Sequence, residues 1–174
     1  IEDDLEGQLP PENQQQLQLL RDRVKWMESM INSLLAYART GRQEVPLETF
    51  NVAELLSEII DSLAPPQSFS IEIEQPMPTL TTKRLLLGQV FANLIGNAIK
   101  HHTSVEGHLN IWAIEQQDFY EFRVKDDGPG IAPEYHAKIF EIFQSLKPQD
   151  DGGNTGVGLA IVKRLSKWRR EQFV

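Results

Sequence analysis

Cysteine is absent from the chain. That removes disulfides, thiol catalysis and cysteine-based zinc sites, and it gives no sign of an oxidising compartment. Long apolar runs are missing as well. The longest uncharged stretch, residues 85–99, is interrupted by Gln89, Asn93 and Asn97, so it does not read as a bilayer span. Nothing at the start reads as a secretory leader, and the first residue is Ile1 rather than Met. Positive charge is scarce: 17 Lys and Arg against 25 Asp and Glu leave a net charge of −8. A nucleic-acid binder draws much of its affinity from neutralising phosphates, so this balance argues against one. No internal repeat or low-complexity segment is visible. What is present is 174 residues, 40% apolar and 24% charged, enough for one domain with a real core or a domain plus an appendage. The expectation is a cytoplasmic piece of a longer protein with no membrane segment of its own.

The first forty residues differ from the rest. Glu2, Asp3, Asp4 and Glu6 precede Gly7, and Pro10-Pro11-Glu12 reads as a turn feeding a helix. Leu17, Leu20, Val24, Met27, Ile31, Leu34 and Ala38 then recur at alternating spacings of three and four, an a/d seam. A helix over 12–40 would be about 43 Å long at about 1.5 Å per residue. Such a stripe buries against partner helices, which predicts a dimeric helical hairpin or bundle. The alternative is that it packs on its own globular domain. Gly41 reads as a helix stop and 42–50 as a linker.

Beyond it, Asn51 and Glu54 resemble a capping box for a helix to Leu63, ended by Pro65-Pro66. Phe69, Ile71 and Ile73 alternate with Ser70, Glu72 and Glu74, a half-buried strand stopped by Pro76 and Pro78. A longer helix is predicted over 82–102, strands over 109–115 and 119–125 joined as a hairpin, a glycine- and proline-punctuated loop over 126–133, a short helix over 134–143, a polar loop over 147–156 and a last helix from Val157. The order α, β, α, β, β, α predicts helices on one face of a mixed or antiparallel sheet.

Three places break the structural pattern. On the helix near residue 90, Leu87, Phe91, Leu94 and Ala98 make a core stripe, while Asn93, Asn97 and Lys100 make a second stripe. Asparagines in mid-helix cost propensity. They fit either a solvated face or amide-oxygen ligands for Mg²⁺, with Lys100 meeting phosphate. His101 and His102 suit a helix C-terminus. On the last strand Tyr120, Phe122 and Val124 share the core-facing parity, which Asp126 continues and Asp127 does not. Asp126 therefore either caps its own turn or accepts a hydrogen bond from a ligand amine, with Gly128 and Gly130 letting the backbone come close. Finally, residues 152–159, rich in glycine, open the last helix, where backbone N–H groups and the dipole suit phosphate. It is neither a Walker loop nor a Rossmann fingerprint. Phe140 and Phe143 are most simply core residues.

The ordered set is more specific than its parts. Asn93-Leu-Ile-Gly-Asn97-Ala-Ile-Lys100 resembles the N box of sensor histidine kinases. Asp126-Asp-Gly128-Pro-Gly130-Ile131 is similar to their first glycine box, Phe140-Glu-Ile-Phe143 to the F box, and Gly156-Val-Gly158-Leu159-Ala160-Ile161 to the second glycine box. The helix ending Leu34-Leu35-Ala36-Tyr37-Ala38-Arg39 resembles the second helix of the family's dimerisation and histidine-phosphotransfer hairpin, and the segment from Ile142 to Pro148 resembles the phytochrome-like subgroup. The resemblance implies an α+β fold, a two-layer α/β sandwich of the Bergerat ATP-binding type, preceded by a long helix of a dimerisation bundle. It implies a partial hairpin over 1–41, the linker, and an ATP-binding catalytic domain over 51–174, short at its C-terminus. It also implies ATP and Mg²⁺ as cofactors, a homodimer through the N-terminal helix, and a response-regulator receiver domain as partner.

Carried over by that resemblance, Asn97 ligates Mg²⁺ with Asn93 assisting. Lys100 and His101 approach the phosphates, and Asp126 accepts the adenine amine. Gly128, Gly130 and Ile131 shape the adenine pocket, Phe140 and Phe143 form the F box, and Gly156, Gly158 and Leu159 belong to the lid hinge. Departures accompany it. The family's phosphoacceptor histidine lies on a helix before this chain begins, and His101, His102, His108 and His136 sit in no comparable context. Position 101 is His where the family commonly has an aromatic. After Lys163-Arg164 the family continues into a glycine turn and further strands, whereas here the chain stops at Val174. Two alternatives follow: an ATPase of the same superfamily, which places a water-activating Glu where this chain has Asn93, and a non-catalytic dimerising signalling module.

Overall fold

The computed structural model describes residues 10–39, 45–144 and 155–171. The acidic start, Gly41 and most of the 147–156 loop, including Gly152 and Gly153, lie outside the described residues. A long helix, α1 (Pro11–Arg39), leads into a strand β1 (Glu48–Asn51) and helix α2 (Val52–Leu63). Then come β2 (Phe69–Ile73), β3 (Thr79–Thr82), α3 (Arg84–His101), β4 (Gly107–Glu115) and β5 (Tyr120–Asp126). Two single 3₁₀ turns follow, Pro133–Tyr135 and Lys138–Phe140, before α4 (Gly158–Glu171).

Local chemistry sets several of these bounds. The Asn51 side chain accepts the Ala53 N–H at 2.8 Å and starts α2, satisfying one of the orphan donors of its first turn. Ala64, in the left-handed region at φ 44°, ends it ahead of the prolines. The mixed three-stranded sheet runs β2-β4-β5, with β2 parallel and β5 antiparallel to β4. Its parallel pairing requires the crossover that α3 supplies. Gly107 opens β4 against the Phe69 ring, where a Cβ would collide.

Three expectations are corrected. The segment 42–50, expected as a linker, carries β1 at its end, and β1 pairs with β3 in a separate antiparallel ribbon. The short helix expected over 134–143 is replaced by the two 3₁₀ turns, and the backbone is already extended at Glu141, with ψ 149°. On α3 the fully buried positions are Phe91, Ile95 and Ala98, with Leu94 and Leu87 only half-buried. The stripe is rotated from the expected one because α3 packs on two sides. Phe91, Ile95 and Ala98 face a core with Leu56, Leu109 and Ile111, while Leu86 and Val90 meet Val157, just before α4, and Ile161 and Leu165 of α4. Phe91 also meets the Phe122 ring edge-on at 5.4 Å.

The a/d seam of α1 stays open. Leu17, Leu20, Val24, Met27, Ile31 and Leu34 are between 45 and 61% exposed. The alternative that this seam packs on its own domain is therefore not what the fold adopts. A different face of α1, with Lys25, Ser29 and Asn32, borders a polar groove shared with Gln89 and Asn93 of α3 and Ile161 of α4. No described helix is long and apolar enough to cross a membrane.

Candidate nucleotide site

Helix α3 is the floor of the site. Asn93 and Asn97 are half-buried on it, and Lys100 is exposed at its last turn. The Asn93 amide nitrogen donates to the Gln89 carbonyl at 2.7 Å, so its oxygen is the group that faces outward. That oxygen lies where α4 begins: a Cβ on Gly158 would stand 2.6 Å from it. Glycine at 158 thus leaves room for the asparagine oxygen, and the N box and second glycine box are in contact. Desolvation lowers the pKa of the Lys100 ammonium from its ordinary value. His101, half-buried, is the final residue of the helix.

The F box joins the same assembly. The Phe143 N–H donates to the Gly156 carbonyl at 3.0 Å. Gly156 has φ 64°, and a Cβ there would lie 2.7 Å from the Gln144 carbonyl oxygen. The two ends of the segment between Gln144 and Thr155 are therefore fastened to each other. Lys163 of α4 stands over the Phe140 ring, 5.8 Å from its centroid. Phe140 is half-buried, but Phe143 is 47% exposed, which corrects the reading of it as a core residue. Leu159 is half-buried on the first turn of α4.

The carboxylate side lies at the end of β5. Asp126 keeps the parity of Phe122 and Val124, yet its side chain is exposed rather than buried inward. The strand ends there, and no described element covers it. One carboxylate oxygen accepts the Gly128 N–H at 3.0 Å, closing a turn on itself, and a Cβ on Gly128 would stand 2.6 Å from that oxygen. Gly130 holds φ 70° with open space around it, and Ile131 is 40% exposed beside it.

The neighbouring carboxylate carries contacts that the sequence did not reveal. Asp127 Oδ1 accepts from His102 Nε2 at 2.9 Å and from the His108 N–H at 2.8 Å. These bonds stabilise the ionised form and hold the Asp127 carboxyl below its ordinary range, the backbone bond from His108 contributing most. The available signal was a second Asp at the opposite strand parity and a doubled histidine at a helix end. Among the described residues, no three His, Cys, Asp or Glu side chains are grouped to hold a metal ion. A divalent ion here would have to share amide oxygens with a ligand's own oxygens.

Residues 82–172 match the family described as Histidine kinase-, DNA gyrase B-, and HSP90-like ATPase. The chain belongs to this family. It is 34% identical over 152 residues to the phytochrome-like protein Cph1 of Synechocystis sp., covering 86% of this chain and 20% of Cph1. It is 29% identical over 170 residues to the sensor histidine kinase CpxA of Escherichia coli, covering 89% of this chain and 35% of CpxA. The chain spans about a fifth of the length of the phytochrome-like relatives it matches. Full-length ShkA, solved in complex with AMPPNP, matches 94% of this chain and 35% of its own at a TM-score of 0.67 and 31% identity. Acinetobacter baumannii AdeS shares the fold over 96% of this chain and 79% of its own, at a TM-score of 0.68 and 20% identity. Residues 82–172 thus carry a domain of this family, and the relatives the chain matches include sensor histidine kinases.

Proposed function

We propose that ATP held here donates its γ-phosphoryl group to a histidine on a hairpin completed outside this chain. The bond from the γ-phosphorus to the β–γ bridging oxygen breaks, a bond to an imidazole nitrogen forms, the imidazole gives up a proton and ADP leaves. The phosphoryl group then passes to an aspartate of a response-regulator receiver domain. Little covalent chemistry is asked of this domain; its work is placement and charge neutralisation. In this reading Asp126 accepts the adenine amine, and Gly128, Gly130 and Ile131 form the wall of that pocket. Lys100 and His101 meet the phosphates. Phe140, Phe143, Gly156, Gly158 and Leu159 complete the phosphate side.

Asn97, with Asn93 assisting, would hold Mg²⁺, whose remaining ligands are phosphate oxygens and water. The ion supplies neutralisation of the phosphate charge. Neutral amide oxygens suit an ion that arrives with its nucleotide. An amide at position 93 has no proton-accepting role toward water, which separates this chain from the hydrolysing members of the superfamily. The proposed unit is 51–174 for nucleotide binding, preceded by a partial hairpin over 1–41 whose helix α1 dimerises through its open seam.

The observation that carries the reading is the contact of the Asn93 oxygen with Gly158, which joins two nucleotide-box segments 65 residues apart on one helix floor. Calorimetric titration with a non-hydrolysable ATP analogue, with and without Mg²⁺, tests it. Micromolar binding that needs Mg²⁺ and is lost in Asn97→Ala is the expected result. Absence of binding by a folded sample would sink it.

A further inference from the structure

The two halves of the proposed nucleotide site sit on different elements. Asn93, Asn97 and Lys100 ride on α3, whereas Asp126 ends β5. Besides the Phe91–Phe122 ring contact, a polar tie between them is made by residues to which no role has been given. His102 is the C-cap of α3, and Asp127 follows Asp126 directly. Their bond is 2.9 Å long. Asp127 is bound to β4 twice, accepting the His108 N–H at 2.8 Å and donating its own N–H to the His108 carbonyl at 3.1 Å.

The imidazole cannot swing away. Its side chain is only 5% exposed. The Phe69 ring lies edge-on to it at 5.5 Å, and its Cδ2 stands 3.2 Å from where a Gly107 Cβ would be. The Asp127 side chain is 51% exposed, so it is held by donors rather than by packing.

We propose that His102 and Asp127 form a positioning pair that holds the Asp126 carboxylate in register with the phosphate-facing turn of α3. The proposal rests on the reading of Asp126 and α3 given above. A ligand that touches both halves gains from a fixed separation, because its second contact then forms within an already bound molecule. A ligand touching one half gains nothing from it.

That difference is measurable. A non-hydrolysable ATP analogue, adenosine and tripolyphosphate are titrated separately into the full 174-residue chain. Asp127→Ala is expected to weaken the analogue about tenfold while each half-ligand changes by less than about twofold. Asp127→Asn keeps an acceptor oxygen and should restore most of the loss. His102→Ala should match Asp127→Ala, and the double variant should lose no more than either single one. If analogue and half-ligands weaken together with a fall in Tm, the pair is merely structural and the proposal is wrong. Unchanged analogue affinity in Asp127→Ala also overturns it, provided that Asp126→Asn does weaken binding. If Asp126→Asn has no effect, the assignment of the adenine side fails and takes this proposal with it. Because the Asp127 carboxylate is half exposed, its variants keep the test open should His102→Ala not fold.

Discussion

Two aspartates side by side do different work. Asp126 closes a turn with one oxygen and is exposed, whereas Asp127 is bonded to a buried imidazole and a backbone amide. A charge-assisted hydrogen bond from a ligand amine is worth about 1.5–3 kcal/mol. Asp126→Asn is therefore expected to weaken nucleotide binding by about tenfold or more, measured by titration, and unchanged affinity would remove the assignment. The Asp127 carboxyl titrates below its ordinary value in the folded state. Its contribution to stability is complete above the unfolded value, about pH 4, and is lost as pH falls through the lower folded value. The stability gap between the parent chain and Asp127→Asn, followed by urea unfolding, should then narrow below about pH 4. A gap that widens on acidification would contradict the bonds to His102 and His108.

At the scale of elements, the joint between Phe143 and Gly156 invites a paired substitution. Gly130 and Gly156 both hold positive φ, but only Gly156 has backbone within 3 Å of a would-be Cβ. Gly130→Ala should lose about 1–2 kcal/mol from conformation. Gly156→Ala should lose clearly more, since the Gln144 backbone must also move, and equal losses by chemical denaturation would refute the close contact. The same elements show how much the sequence conveys. The strand Phe69–Ile73 and the helix Val52–Leu63 were legible because alternation, cap and prolines are local signals. The ribbon of β1 and β3 was not, because each strand has four residues and Thr49 finds Thr81 only across the fold. The helix expected over 134–143 breaks into two 3₁₀ turns, and the bond that then holds Phe143 to Gly156 reaches outside that segment, where sequence periodicity gives no signal. The box residues could be picked out one by one. Their interlocking could not, nor could the bond between His102 and Asp127, which joins positions 25 apart.

For the whole molecule, the two faces of α1 set the terms of assembly. One presents an apolar seam with Val24 at 58% and Ile31 at 60% exposure. The other borders the polar groove beside α3 and α4. Burying a fully exposed side chain of this size gains about 1.5–3 kcal/mol, and a second copy offers a matching stripe. Ile31→Glu should therefore shift the chain toward monomer in sedimentation equilibrium while leaving nucleotide titration unaltered. A dimer that survives the substitution would place the contact elsewhere.

The parity of β5 has one more consequence. Nothing chemical distinguishes the side chain at 126 from that at 127; only the alternation of the strand assigns them their tasks. A one-residue insertion in the 116–119 turn that slid β5 along β4 would carry Asp126 into the place of Asp127 and bring Lys125 to the place of Asp126. Charge and the glycines of the loop would stay as they are, while an ammonium replaced the carboxylate on the side proposed to face the ligand. The length of the hairpin turn thus acts as the reading frame of the proposed site.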